Sequence, residues 1–207
     1  MNLFKILLTS FPGLIFIDIG ANIGTYTILA AETNAQVIAI EAHPRTYLQL
    51  VRNITMNQKK NVIPINVAIS DREGSVRFTD LKEIAINHID EKGELVVPCS
   101  PLELMIAKYC TTSCIVKVDV EGNENAVIES IGKSIGQVSL LFVENGSVLE
   151  IKSNMMCLGY LGPFYFQWKL MKLTLIPQKR EEDPIYISKD FCNRLPEVGI
   201  LLDFCSG

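Results

Sequence analysis

The sequence predicts a three-layer α/β/α sandwich on a mostly parallel sheet with an antiparallel edge at its C-terminal end, in a single domain over residues 1–207. Two observations carry that expectation. Short apolar runs rich in β-branched side chains recur with helical stretches between them, the alternation of strands joined by crossover helices. After Gly162 the pattern changes: FYFQW, KLTLI and PIYIS follow one another with no amphipathic helix of length between them, which suits antiparallel pairing.

Taken in order, the strands are LIFID (14–18), QVIAIE (36–41), VIPIN (62–66), CIVKVD (114–119) and VSLLFVE (138–144). They are apolar almost throughout, as strands buried on both faces are. Helical character fills Asn22 to Glu32 and Pro44 to Asn57, the second opening on proline where a missing N–H costs nothing. Ser100, Pro101 and Glu103 read as a capping box before a helix over Leu102 to Tyr109. Two more helices are expected at Asn123 to Ile131 and Ser147 to Leu158. Between residues 75 and 98 the pieces SVRFTD and ELVVP suggest a hairpin-like excursion beside the sheet.

The opening segment MNLFKILLTSFPGLIFI superficially resembles a secretory leader. Pro12 and Gly13 interrupt it, no small-residue cleavage site follows, and Leu14 to Ile17 runs into Asp18 as a buried strand does. No apolar stretch reaches the 18 or more residues of a membrane span, so a soluble, cytoplasmic chain is expected. On this reading the chain starts almost directly at its first strand and has little material for a substrate-binding cap.

Composition narrows the function classes. Hydrophobic residues make up 48% and charged residues 20%, which fits a globular chain and argues against disorder. With 19 basic and 23 acidic residues the net charge is −4, so binding driven by neutralised nucleic-acid phosphates has no support. The cysteines at 99, 110, 114, 157, 192 and 205 are scattered in a chain too apolar to need a disulfide framework, and a reducing compartment follows. Cys110 and Cys114 have CxxxC spacing, but Lys117 stands where an iron–sulfur motif wants its third thiolate, and a zinc site lacks a second pair of ligands nearby. Buried or idle thiols are expected.

In an open parallel sheet, ligands bind at the carboxyl ends of the strands where strand order reverses. The first strand there ends in Asp18, Ile19, Gly20, Ala21, Asn22, Ile23, Gly24. The glycines permit a tight turn and close backbone approach. A phosphate loop is excluded, since GxxxxGK[ST] is absent; so is the dinucleotide GxGxxG, since Asn22 replaces its second glycine and Gly24 comes one residue early. Asp18 at the mouth repels phosphate and welcomes an ammonium group. Glu41 ends the second strand, where an acid can accept both hydrogen bonds of a ribose diol. A nucleoside with a cationic amino-acid tail fits both, and S-adenosylmethionine has that description.

These residues resemble the class I S-adenosylmethionine-dependent methyltransferases, and within them the FkbM-like branch. The matching words are FIDIGANIGTYT (16–27), VIAIEAHPRTYLQLVRN (37–53), NVAISDREGSVRF (66–78) and IVKVDVEGNE (115–124), in the same order and spacing over roughly residues 14 to 145. The resemblance implies a Rossmann-like class I methyltransferase fold with S-adenosyl-L-methionine as cofactor. It implies that Asp18, Gly20, Ala21, Asn22 and Gly24 hold the methionine part and Glu41 the ribose, with Ala42 beside it. Asn66, Val67 and Ala68 would border the adenine. Asp119 would face the point where donor and acceptor meet, with Glu121 and Glu124 on the same turn. The chain departs from the family pattern at Glu41-Ala42-His43-Pro44, where EPxP is usual, and at Leu102-Glu103-Leu104-Met105, where LDxL is usual. These departures bear on the acceptor more than on the cofactor.

Methyl transfer from a sulfonium is an in-line displacement, and a hydroxyl acceptor must lose a proton as it attacks. Asp119 is the first candidate base and Glu121 the second. His43, before a helix-opening proline, reads as exposed, and His88 as a surface residue. The expected activity is O-methylation of a hydroxyl on a small molecule or glycan; N-methylation of a neutral amine is also open. Three alternatives stand beside it: a noncatalytic nucleoside-binding or scaffold module, a nicotinamide oxidoreductase disfavoured by the glycine spacing, and a metal-dependent, catechol-type O-methyltransferase. The last would use Asp119, Glu144 and Asn145 as oxygen ligands for Mg²⁺, but the surrounding KVDVEG belongs with the other branch, so no metal is expected.

Overall fold

The structure, a computed structural model, describes residues 2–81, 86–144, 148–177 and 183–203. Its centre is five parallel strands: β1 (Ile15–Ile19), β2 (Val37–Ile40), β3 (Val62–Ile65), β7 (Cys114–Val118) and β8 (Val138–Val143). They lie in the order β8-β7-β1-β2-β3, so the chain builds outward from β1 in one direction and then returns to build in the other. The switch point falls between β1 and β7, where Asp18 is paired in register with Lys117.

Alternation along β1 supplies both cores. Phe16 joins a cluster with α1 (Asn2–Ser10), α2 (Thr25–Ala31), α3 (Pro44–Met56) and α7 (Lys189–Cys192). Ile15, Ile17 and Ile19 join the opposite cluster with α4 (Leu102–Tyr109), α5 (Glu124–Glu129) and α6 (Val148–Cys157). Each helix shows one apolar stripe to the sheet, which gives the three layers.

The far edge carries β11 (Ile185–Ser188), antiparallel to β8, then β9 (Tyr160–Gln167) and β10 (Lys172–Thr174), antiparallel in turn. A short β12 (Leu201–Asp203), absent from the sequence expectation, lies parallel to β10 at the margin. The excursion forms its own small sheet. Here β5 (Gly74–Phe78) pairs antiparallel with β6 (Leu95–Ser100), and β4 (Ala68–Ile69) pairs with β6 on the other side.

Two expectations are corrected. The opening segment is the helix α1, with Leu3, Phe4, Leu7, Leu8 and Phe11 buried at helical spacing. Phe4 packs its ring against Phe16, Tyr26 and Phe142, so this segment belongs to the core. The capping box before α4 does not form either, because Ser100 is held in β6. The first N–H groups of α4 are satisfied from across the fold: Leu102 N–H donates to Ser130 Oγ (3.1 Å) and Glu103 N–H to the Ser130 carbonyl (2.8 Å). Cys99, Cys110, Cys114 and Cys192 are buried free thiols and Cys157 is an exposed one, whereas Cys205 lies outside the described residues.

Candidate functional site

The carboxyl ends of β1, β2 and β7 open onto a cleft lined by Gly20, Glu41, Val67 and Asp119. The turn after β1 is drawn tight against β7. Gly20 has φ +72°, and a Cβ there would lie 1.6 Å from the Asp119 carbonyl oxygen, so this position admits only glycine. Gly20 and Ala21 N–H both donate to the Ile40 carbonyl (3.0 and 2.9 Å), locking the turn to β2 as well. Gly24, at φ +96°, ends the turn and starts α2, with Leu50 packed where its Cβ would stand.

Glu41 sits where this turn meets the end of β2. It is buried, and its two oxygens accept the backbone N–H groups of Asn22 (2.9 Å) and His43 (2.8 Å). Burial nonetheless raises its pKa, outweighing those two bonds. Asn66 braces the same corner by donating from Nδ2 to the Glu41 and Ala42 carbonyls (2.8 and 2.9 Å). His43, expected to be exposed, is buried: its Nδ1 caps α3 at the Thr46 N–H, and its Nε2 lies 3.1 Å from Asp80 at the root of the excursion. Arg45 binds the same Asp80 oxygen. This strap sets the excursion beside the cleft, and Phe78, Asn87 and Ile89 form its outer wall. His88 is partly exposed, with Nδ1 2.9 Å from the Ile86 carbonyl.

Of the predicted site residues, Gly20, Asn22, Glu41, Ala42, Val67, Ala68, Asp119 and Glu121 line the cleft. Asp18, Ala21, Gly24 and Asn66 stand behind its wall and shape it. Asp18 is almost wholly buried; its Oδ2 accepts from Thr27 Oγ1 (2.6 Å), while Oδ1 has no hydrogen-bond partner. Burial raises its pKa against the opposing pull of Lys117. Glu121 has left-handed backbone (φ 53°), and its pKa is raised by burial and by the charges of Asp119 and Glu124. Glu124 turns inward to accept the Gly122 N–H (2.9 Å).

Lys117, unassigned in the sequence reading, is the charge centre of the site. It is buried, and its Nζ lies 2.9 Å from Asp119 Oδ2, 3.7 Å from Glu144 Oε2, 3.9 Å from Asp18 Oδ1 and 4.7 Å from the centroid of the Tyr26 ring. Burial works against its charge, but Asp18, Asp119 and Glu144 outweigh it and hold its pKa above the usual lysine value. The signal was present in the sequence: a single lysine inside an otherwise apolar central strand has to find buried carboxylates. Of the three residues of the magnesium alternative, Asp119 and Glu144 share the Lys117 ammonium, and Asn145 lies outside the described residues.

The family profile described as the methyltransferase FkbM domain matches residues 18–156, about two-thirds of the chain. The chain belongs to the FkbM methyltransferase family. This FkbM domain is 30% identical over 131 residues to the hexuronic acid methyltransferase AglP of Haloferax volcanii, a match covering 61% of this chain and 54% of that protein. The chain therefore spans little more than half of that relative. Among solved structures the precorrin-6y C5,15-methyltransferase of Geobacter metallireducens is similar in fold, at 12% identity and TM-score 0.50, covering 90% of this chain and 84% of that one. M. capricolum TrmK, solved with S-adenosyl-homocysteine, is similar at 11% identity and TM-score 0.50, covering 99% and 70%. The fold is thus that of the Rossmann-like class I methyltransferases, as the motifs implied. No helix among the described residues is long and apolar enough to cross a membrane.

Proposed function

We propose that this FkbM domain transfers a methyl group from S-adenosylmethionine to a hydroxyl of a small molecule or glycan. The observation that carries the reading is Glu41: a buried acid at the carboxyl end of β2, fixed by two backbone N–H groups, in a cleft at the switch point of the sheet. A carboxylate has about four lone-pair sites, so two remain for a ribose diol. The name of AglP supports a sugar-type acceptor. The buried free thiols support a reducing, cytoplasmic location.

When bound, S-adenosylmethionine supplies a methyl carbon activated by a sulfonium. In this reading Gly20 and Asn22 receive the methionine part, with Asp18, Ala21 and Gly24 holding the turn. Glu41 orients the ribose, and Ala42, Val67 and Ala68, braced by Asn66, border the adenine. Asp119 and Glu121 line the remaining wall, where an acceptor enters; Asp119 is the candidate base.

Titration calorimetry with S-adenosylmethionine and S-adenosylhomocysteine tests this. Micromolar binding is expected, weakened at least tenfold, about 1.4 kcal/mol, by Glu41→Ala and by Asp18→Ala in folded protein. Absence of binding by folded wild-type chain overturns the reading, and so does binding indifferent to both substitutions.

A further inference from the structure

We propose that the excursion is part of the cofactor site: its Phe78 and Ile89 close the apolar end of the cleft over the purine of S-adenosylmethionine, and Asp80, outside the cleft, is the positioning residue that holds them there. This rests on S-adenosylmethionine being the cofactor.

The cleft is apolar on the side of the excursion. Ala42, Ala68, Phe78 and Ile89 line it and belong to one apolar cluster, packed on Val97 and Cys99 of the small sheet. Ala42 follows β2 and Ala68 opens β4, whereas Phe78 and Ile89 come from the excursion, so this end has apolar surface from two separate pieces of the fold. A purine has apolar faces and suits such a slot; the ribose diol and the charged tail need polar partners.

The wall is a fixed piece of structure. Phe78 and Ile89 face each other in an antiparallel bridge, flanked by Thr79 N–H donating to the His88 carbonyl (3.0 Å) and Asp90 N–H to the Arg77 carbonyl (3.1 Å). Asn87 Oδ1 ties the following turn, accepting from Leu81 N–H (2.8 Å) and Thr79 Oγ1 (3.0 Å). Where Phe78 and Ile89 stand is therefore decided by what this piece is fastened to, and Asp80 is the fastening. His43 Nδ1 accepts the Thr46 N–H, so Nε2 carries the ring proton and donates to Asp80 Oδ1 (3.1 Å). The same ring lies 6.3 Å from that of Phe78. Arg45 is a second arm, but its side chain is 65% exposed against 3% for His43, so His43 is the firmer one. The His43 N–H meanwhile donates to Glu41 Oε1 (2.8 Å). One residue thus holds both the acid read as the ribose ligand and the wall read as the purine cover, which sets the spacing between them.

Titration calorimetry of the whole chain with S-adenosylhomocysteine tests this, with thermal unfolding as the check on folding. Asp80→Ala should weaken binding about tenfold, since it frees the wall from both arms. Asp80→Asn keeps an oxygen that accepts from His43 and Arg45, so it should bind within about twofold of wild type. Ile89→Ala alters the wall and leaves the strap whole, and about fivefold weaker binding is expected from the lost apolar contact. Adding Asp80→Ala to it should cost less than the same change costs in wild type, because both act through one surface. Folded Asp80→Ala or Ile89→Ala that binds as tightly as wild type overturns the inference, as do fully additive losses or an Asp80→Asn as weak as Asp80→Ala; the proposed function stands in each case. If Asp80→Ala does not fold, Ile89→Ala decides alone. Absence of binding by folded wild-type chain removes both.

Discussion

Three acids at the carboxyl ends of the strands are held in opposite ways. Glu41 is gripped by backbone N–H groups that belong to the turn after β1 and the start of α3, whereas Asp119 and Glu144 are gripped by a lysine side chain. Backbone donors cannot move without unfolding the turn and cannot titrate. They suit a group whose task is to fix the orientation of a ligand. A lysine shared among three carboxylates divides one positive charge among them, and burial still raises the pKa of Asp18 and of Glu144. Acids at the same edge of the sheet therefore differ in how firmly they are held, because their donors differ.

The comparison is broken most severely at Lys117. Lys117→Met leaves Asp18 and Asp119 without their buried cation and is expected to cost about 3–5 kcal/mol, read by urea unfolding at pH 7. A loss under 1 kcal/mol would mean that the three acids are solvated in solution. Gly20→Ala comes next, at roughly 3 kcal/mol, since it combines strain at positive φ with a clash against the Asp119 carbonyl. Cofactor binding should be lost with it, and a variant that keeps wild-type Tm and binding would refute the close approach of β1 and β7.

Glu41→Gln sharpens the contrast. It keeps one acceptor oxygen for the turn, so the fold should hold while cofactor affinity falls about tenfold, 1.4 kcal/mol by calorimetry. His43→Ala removes the cap of α3 and one arm of the strap to Asp80, with an expected cost of about 1 kcal/mol in thermal unfolding. The smallest effect is a pH slope. Glu144 has its pKa raised in the folded chain, so its contribution to stability is present in full below about 4.5 and is lost as pH rises through about 7. Stability measured across that window should decline less in Glu144→Gln than in wild type, and parallel curves would show that Glu144 titrates normally.

Much of the fold was legible because strands buried on both faces must be apolar throughout. Ile15–Ile19, Val37–Ile40 and Val138–Val143 announce themselves in that way, and proline at position 44 marks the start of α3. The helix α1 was also written in the spacing of Leu3, Phe4, Leu7, Leu8 and Phe11, but an apolar N-terminal run carries the composition of a leader, and composition hid its period. The α4 cap was not legible at all. Ser100 and Glu103 match a local pattern, yet the donors are satisfied by Ser130, 28 residues away. Local pattern cannot compete with a partner that only folding brings near.

The site divides along the same line. Sequence by itself determined the turn after β1, because glycines at 20 and 24 are demanded by its backbone geometry, a local matter. It also determined the family, through motifs whose order follows from that turn. Only the tertiary structure decided who shares a charge with whom. Lys117, Asp18, Asp119 and Glu144 come from three neighbouring strands, and electrostatic energy depends on distances across the sheet that no spacing along the chain encodes. The excursion took its place against the cleft for the same reason, through the contact of Asp80 with His43 and Arg45, which neighbouring residues along the chain do not predict.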